Sequence, residues 1–163
     1  MNSTSIDPTQ SDILIVDDTP QNLRLLARML SKRGYNVREA SDGPMALQAV
    51  ETSPPDLILL DVMMPGMDGY QVCKHLKDNV QTADIPVIFL SALTQIDDKI
   101  RAFSVGGLDY ITKPFQIEEV LARVQNHLAL RYAQRQVRQL NSELEDRVQQ
   151  RTSQLQKTNQ QLK

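Results

Sequence analysis

Three short, nearly uninterrupted apolar runs limit the folds that this chain can adopt more than any other feature. They are DILIV at Asp12–Val16, DLILL at Asp56–Leu60 and PVIFL at Pro86–Leu90. A strand that is buried on one face alternates apolar and polar residues, whereas a strand that is buried on both faces reads as a continuous apolar run. The three runs therefore predict central strands of a sheet that is covered on both sides.

Amphipathic stretches between these runs predict the helices that cover the sheet. Leu23, Leu26, Ala27 and Leu30 form one apolar stripe, with Pro20 at its start and Gly34 just past its end. Further helices are predicted at Met45–Val50, Tyr70–Leu76 and Ile96–Val105, with caps at Asp68 and Thr94, and weaker strands at Asn36–Ala40 and Asp109–Thr112. Alternating strands and helices require right-handed crossovers. We predict an α/β fold, a flavodoxin-like (βα)5 doubly wound parallel sheet with strand order 2-1-3-4-5.

The sequence changes character after Pro114, because residues 115–163 contain neither glycine nor proline. The apolar stripe of the predicted fifth helix continues through Ala133, Val137, Leu140, Leu144, Val148, Leu155 and Leu162. The last three recur every seven residues, with Arg151 and Thr158 at the alternate core positions. This spacing predicts that the fifth helix extends into a weak, two-stranded coiled coil with a polar seam. The alternative is a frayed, solvated tail. The predicted organisation is a disordered leader at 1–10, a domain at 11–130 and a coiled-coil linker helix at 131–163.

Charge and composition exclude several classes of protein. Residues 1–129 hold 11 Lys and Arg against 17 Asp and Glu, and residues 130–163 hold 7 against 3, so neither part is basic enough to indicate nucleic acid as a direct partner. No run approaches the ~20 apolar residues of a membrane span, and the polar start of the chain does not have the pattern of a signal peptide. With Cys73 as the single cysteine, a cytoplasmic location is expected.

Acidic residues follow two of the predicted strands. Asp17 and Asp18 come directly after the first strand, and Asp61 comes after the third. Ligands of open parallel sheets bind beyond the carboxyl ends of the strands, and in the order 2-1-3-4-5 these two strands are neighbours. Two unit charges about 4 Å apart repel by about 4 kcal/mol at an intermediate dielectric. The three carboxylates therefore need a cation or a raised pKa, and hard oxygen ligands suit Mg²⁺.

Each polar residue at this edge also has an ordinary explanation. Asp18 or Thr19 could cap the helix at Pro20, Asp61 could bend the chain, Ser91 could be a turn hydroxyl, and Lys113 could be a surface lysine. Together they form a chemical set, because all of them follow strands of one sheet. Asp61 can be the nucleophile that forms an acyl phosphate. Lys113 and Ser91 can neutralise the phosphoryl oxygens beside the metal ion.

The chain resembles the receiver domains of two-component response regulators over residues 11–130. The resemblance is carried by ILIVDD at Ile13–Asp18, LILLDVMMPGMDG at Leu57–Gly69, FLSA at Phe89–Ala92 and DYITKPF at Asp109–Phe115. It implies a phosphorylation-dependent switch and no enzyme beyond self-phosphorylation and slow self-dephosphorylation. The implied phosphoryl donor is the phosphohistidine of a sensor histidine kinase or of a phosphotransfer protein.

The resemblance also implies a role for each site residue. Asp61 is the implied phosphoacceptor, and the implied ligands of Mg²⁺ are Asp17, Asp18, Asp61 and the backbone carbonyl of Met63. Lys113 is implied to pair with the phosphoryl group and to precede Pro114 by a cis peptide bond. Ser91 and Tyr110 are the implied switch pair. The signal is expected to leave through the fourth helix, the fifth strand and the fifth helix. Ser91 replaces the commoner threonine. Met63 and Leu93 are apolar where many relatives carry a polar group that orients water, so a slowly hydrolysing acyl phosphate is expected.

Other interpretations of the chain stay open at this point. Residues 144–162 resemble linker helices that join receiver or sensory modules to output domains, so the chain is expected to be part of a longer regulator and to form a homodimer through this helix. A structural coiled-coil adaptor with an unused receiver is one alternative. A haloacid-dehalogenase-like phosphatase is another, although it requires an acid where Thr19 stands. His75 and His127 are interpreted as ordinary helix residues, and His127 has no acidic neighbour in sequence.

Overall fold

The structure, a computed structural model, describes residues 10–92 and 96–162 of the chain. Five strands and five helices alternate: β1 (Asp12–Val16), α1 (Pro20–Lys32), β2 (Asn36–Ala40), α2 (Gly43–Thr52), β3 (Leu57–Asp61), α3 (Gly69–Asp78), β4 (Val87–Ser91), α4 (Ile96–Ser104), β5 (Asp109–Thr112) and α5 (Ile117–Gln161). Of the predicted leader only Gln10 is described; residues 1–9 and the predicted cap at Thr94 lie outside the described residues.

The strands form one parallel sheet in the order β2-β1-β3-β4-β5, which confirms the predicted topology. Its register brings the strand ends together, since Val16 pairs with Leu60, Asp61 with Leu90, and Ser91 with Thr112. The predicted bounds of β3 and β4 were one residue early. Asp61 and Ser91 are the last residues of their strands, not the first residues of the following loops.

The sheet separates two apolar cores, as the uninterrupted runs require. One core contains Leu14, Leu60 and Phe89 under α2, α3 and α4, and the other contains Ile15, Leu59 and Leu90 under α1 and α5. Every residue of β3 and of β4 is buried. Full burial of one such aliphatic side chain stabilises the fold by about 1.5–3 kcal/mol. This burial fixes β3 and β4 as rigid central strands, and both end at the predicted site.

Two helix starts bear on the site. Thr19 is the N-cap residue of α1, as one of the ordinary explanations predicted, although its side chain makes no capping hydrogen bond. Helix α3 has a full capping box, in which Asp68 accepts from the Gln71 backbone N–H and the Gln71 side chain accepts from the Asp68 backbone N–H. The start of α3 is therefore tightly defined directly after the loop that follows Asp61.

The described residues form two compact units that divide between Leu128 and Ala129. In the first unit, α5 buries Val120, Val124 and Leu128 in the core. In the second unit, six large apolar residues of α5 and of the turn that follows it are each exposed by 56–80%: Val137, Leu140, Leu144, Val148, Leu155 and Leu162. The helix is thus as long as predicted, and the apolar stripe of its second unit is uncovered. None of the helices in the described part of the chain has the length and apolar character to cross a membrane.

Candidate functional site

Four strands deliver polar side chains to one edge of the sheet. Asp17 and Asp18 follow β1, Asp61 ends β3, Ser91 ends β4, and Lys113 follows β5. One carboxylate oxygen from each of Asp17, Asp18 and Asp61 lies within 4.8 Å of the others. The convergence of the three acids follows from the strand order, because β1 and β3 are adjacent and end at the same level.

Asp17 is the most enclosed acid of the site, with no exposed surface. Its Oδ1 accepts a hydrogen bond from the Thr19 backbone N–H at 2.9 Å, and its Oδ2 accepts from Asn22 Nδ2 at 3.2 Å and from Lys113 Nζ at 3.1 Å. Asn22 is a contact that the sequence did not reveal, because it lies in the first turns of α1 and has no charge of its own. These bonds hold Asp17 in one orientation.

Lys113 connects the two buried acids. Its Nζ lies 3.1 Å from Asp17 Oδ2 and 3.2 Å from Asp61 Oδ1, and its side chain is 20% exposed. Asp61 is 2% exposed, and its Oδ1 also accepts from the Met63 backbone N–H at 3.3 Å. Among the described residues, the hydrogen bond and the ion pair of Asp61 both involve Oδ1 and leave Oδ2 without such a partner. The peptide bond between Lys113 and Pro114 is cis, as expected.

The electrostatic state of Asp61 follows from its surroundings. Burial, and then the neighbouring charge of Asp17, raise the pKa of Asp61 to about 7, although Lys113 and the Met63 N–H act in the opposite direction. Burial alone would lower the pKa of Lys113, but Asp61 and Asp17 outweigh it and raise that pKa. One ammonium group is therefore too little positive charge for the acids that surround it.

This excess of negative charge fits a divalent cation. The three acids offer oxygen ligands only, few in number, which is the donor set that Mg²⁺ prefers. Asp18 is exposed and lines an open cavity of about 480 Å³ together with Met63, Met64, Pro65, Gly66 and Asp68. A small hydrated ion can thus reach the acids from solvent. Met63 itself is 63% exposed, and Leu93, the other apolar residue named from the sequence, lies outside the described residues.

Ser91 and Tyr110 lie behind the acids on neighbouring strands. Ser91 is fully buried and Tyr110 is 6% exposed. Burial raises the pKa of the Tyr110 hydroxyl, and a hydrogen bond with Ser91 counteracts part of this effect. The aromatic ring is therefore turned into the protein, with its hydroxyl linked to the serine at the end of β4.

A second polar cluster, which the sequence did not reveal, ties β5 to α5. Asp109 accepts from Arg123 Nη1 at 2.6 Å and lies 2.9 Å from His127 Nε2. Burial alone would raise the pKa of Asp109, but hydrogen bonds from Arg123, His127 and the Tyr110 backbone N–H outweigh it and lower that pKa. His127 has no acidic neighbour in sequence, but the fold supplies one from a strand 18 positions earlier.

The comparisons with known proteins converge on one family. The sequence model of the response regulator receiver domain matches residues 13–125. The DNA-binding dual master transcriptional regulator RpaA of Synechocystis is 49% identical over 69% of this chain and 46% of its own length. A probable cyclic di-GMP phosphodiesterase of Vibrio cholerae is 37% identical over 91% of this chain and 34% of its own length. The chain thus matches less than half the length of these two curated relatives.

A solved structure agrees with these matches. A putative response regulator from Chloroflexus aurantiacus has a TM-score of 0.71 with 39% identity, and the alignment covers 74% of this chain and 98% of that chain. The Vibrio cholerae relative aligns over 149 residues, so its match extends beyond Leu128 into the second unit of α5. The similarity to known proteins is therefore densest over the first unit and reaches into the second.

Proposed function

Because the chain belongs to the response regulator receiver domain family, we propose that it is a phosphorylation-dependent switch whose phosphoacceptor is Asp61. The observation that carries this proposal is the ammonium group of Lys113, which lies within 3.2 Å of both Asp17 and Asp61 at the sheet edge. A structural adaptor has no need for this buried arrangement of charges. A haloacid-dehalogenase-like phosphatase is disfavoured because Thr19 occupies the position of its second acid.

The proposed chemistry is a phosphoryl transfer from a phosphohistidine of a sensor histidine kinase or phosphotransfer protein. Asp61 Oδ2 attacks phosphorus, the P–N bond to the donor histidine breaks, and the leaving imidazole keeps the electron pair and takes up a proton. The Asp61–Lys113 contact fixes Oδ1 and so presents Oδ2 to the donor. Such transfers depend mainly on positioning and on charge neutralisation, and the proposed donors to the phosphoryl oxygens are Lys113 and Ser91.

Asp17, Asp18, Asp61 and the Met63 carbonyl are the proposed ligands of Mg²⁺. When bound, Mg²⁺ supplies positive charge beside the developing charge of the phosphoryl group. The raised pKa of Asp61 supports this assignment, since the nucleophile must be ionised and a bound cation favours the ionised form. The exposure of Asp18 supports it as well, because an ion needs an entry path.

The proposed output runs through Ser91 and Tyr110 to the face formed by α4, β5 and α5, and from there along the second unit of α5. We propose that this unit (the residues from Ala129 onward) pairs with a second copy of the chain as a coiled coil. The exposed apolar residues from Val137 to Leu162 support this, because an uncovered apolar stripe of this length marks a contact surface. The cytoplasmic location and the slow hydrolysis expected from the sequence are parts of the same proposal.

The test is labelling with acetyl phosphate, a small phosphoryl donor. The wild-type chain should take up one phosphoryl group in the presence of Mg²⁺ and none in EDTA. Asp61→Asn should take up none, whereas the matched control Asp42→Asn, an acid that caps α2 and is not one of the three clustered acids, should be labelled like the wild type. Labelling of Asp61→Asn to the wild-type level contradicts the assignment, and continuous release of phosphate from phosphate esters supports the phosphatase instead.

A further inference from the structure

Two cationic side chains of helix α4 each lie over the ring of a tyrosine from a neighbouring element. Lys99 Nζ is 5.8 Å from the ring centroid of Tyr110, and the guanidinium of Arg101 is 4.4 Å from the ring centroid of Tyr70. A cation within about 6 Å of an aromatic face is attracted by the ring quadrupole. Tyr110 belongs to the proposed switch pair, whereas Tyr70 belongs to α3 and has no part in that pair.

Tyr70 is only 4% exposed, and its hydroxyl group and its ring make three separate contacts. Its hydroxyl donates a hydrogen bond to the backbone carbonyl of Asp98 in α4 at 3.2 Å. Its ring packs on Phe89 of β4 with the centroids 5.3 Å apart and the planes tilted by 53°. The guanidinium of Arg101 also lies over the face of the ring. An aromatic residue that only filled the core would need none of the polar contacts, so Tyr70 also fastens α4 to α3.

The residue before Tyr70 connects this fastening to the phosphoacceptor. Gly69 packs so tightly on the end of β3 that an added Cβ would overlap the carbonyl oxygen of Asp61 and would lie 2.9 Å from Val62 Cα. The Gly69 N–H also donates to the Val62 carbonyl at 2.9 Å. The first turn of α3 therefore packs directly on the backbone of the residue that is proposed to be phosphorylated, next to Tyr70.

We propose that Gly69, Tyr70 and Arg101 form a second coupling between the phosphoacceptor and α4, in addition to the one through Ser91 and Tyr110. This inference rests on the proposed function and names a regulatory route within the same domain. A shift of the Asp61 backbone on phosphorylation moves the start of α3, and Tyr70 passes the shift to α4 through its hydroxyl and its ring. The contacts on this route are made by Gly69, Tyr70 and Arg101, and not by Ser91 or Tyr110.

The test measures hydrogen exchange of the α4 amides with and without beryllofluoride and Mg²⁺, where beryllofluoride mimics the phosphoryl group. Tyr70→Phe removes the hydrogen bond and keeps the ring, and Arg101→Ala removes the cation from an exposed position. Each should reduce the beryllofluoride-induced change in α4 exchange about fivefold, which corresponds to the net free energy of one hydrogen bond for Tyr70→Phe and of one cation–π contact for Arg101→Ala. Arg101→Lys, which keeps a cation, should restore the response.

Tyr35→Phe is the matched control, because Tyr35 is buried in the other core. It should leave the α4 response unchanged, and acetyl phosphate labelling should be retained in all variants. A wild-type response in both Tyr70→Phe and Arg101→Ala overturns the coupling, as does an equal loss in Tyr35→Phe. A wild-type chain that takes up neither acetyl phosphate nor beryllofluoride overturns the proposed function itself, so the two failures are distinguishable.

Discussion

Replacing Asp61 by asparagine should stabilise the metal-free protein against unfolding at neutral pH. The Asp61 carboxyl is 2% exposed, and burial and Asp17 raise its pKa to about 7 from an ordinary value of 3.8. The folded state therefore disfavours the charged form of the Asp61 carboxyl group, whereas water solvates this charged form freely in the unfolded chain. Asparagine has nearly the same shape as the neutral carboxylic acid. Because it does not ionise, its contribution to the free energy of unfolding does not fall as the pH rises.

The size of this effect follows from the difference between the folded and the unfolded pKa of Asp61. A raised folded-state pKa means that the contribution of Asp61 to stability is fully present below pH 3.8 and is lost as the pH rises to about 7. A tenfold change in proton affinity corresponds to about 1.4 kcal/mol. Asp61→Asn should therefore be more stable than the wild type by about 4 kcal/mol at pH 7, by about 2 kcal/mol at pH 5, and by almost nothing at pH 3.5.

Urea unfolding in EDTA at pH 5 and pH 7 measures the prediction. The difference in free energy of unfolding between Asp61→Asn and the wild type should grow as the pH rises, while Asp42→Asn should change little, since asparagine caps a helix about as well as aspartate does. A gain that stays constant between pH 5 and pH 7, or a loss of stability at pH 7, refutes the reasoning that buried charge repulsion dominates this site.

Magnesium provides an independent check on the same reasoning. A divalent ion that binds the folded wild type stabilises it by mass action and favours the ionised Asp61 carboxylate. Addition of Mg²⁺ at pH 7 should therefore raise the stability of the wild type more than that of Asp61→Asn and should narrow the gap between them. An equal rise for both proteins would mean that Asp61 is not a ligand.

Four other substitutions test separate parts of the structure. Lys113→Met leaves Asp61 without its counterion, so the free energy of unfolding at pH 7 should fall by about 3–5 kcal/mol and labelling should be lost. Gly69→Ala forces a Cβ against the Asp61 backbone, and denaturant unfolding should show a loss of about 1–3 kcal/mol or more. Asp109→Asn removes a carboxylate of lowered pKa and should cost about 1–3 kcal/mol at pH 7, a loss that fades as the pH falls below 4. Arg151→Leu should strengthen self-association in sedimentation.

The sheet and the converging acids could be predicted because they depend on patterns that are local in sequence. Burial on both faces leaves a run such as Leu57–Leu60 without polar residues, and a polar residue at its end must lie at the sheet edge. The bounds of β3 and β4 were one residue early because Asp61 and Ser91 are polar, yet both still pair with the neighbouring strand. A polar side chain indicates that the residue faces the site at the sheet edge. It does not indicate that the backbone hydrogen bonds of the strand have ended.

The contacts that were missed all depend on packing between distant elements. Asp109 and His127 meet because α5 packs across β5, and no spacing in the sequence encodes this pair. Tyr70 looks like one more apolar residue of the α3 stripe, since only the position of α4 shows that its hydroxyl and its ring face are used. A residue that both fills a core and carries a polar group thus has a predictable burial and an unpredictable partner.

The second unit of α5 is suited to the proposed association of two chains, which a small change in free energy would shift. Its six apolar residues are exposed by 56–80%, and burying what remains exposed is worth about 1 kcal/mol for each side chain, or roughly 12 kcal/mol for two chains. Association costs about 4–15 kcal/mol in lost translational and rotational freedom. Arg151 and Thr158 add little to the free energy of association at core positions. The two contributions are of similar size, so a coupling of about 1–3 kcal/mol from the phosphorylated domain is enough to change how two such helices pair. A seam of uninterrupted leucine would pair so tightly that a signal of that size could not alter it.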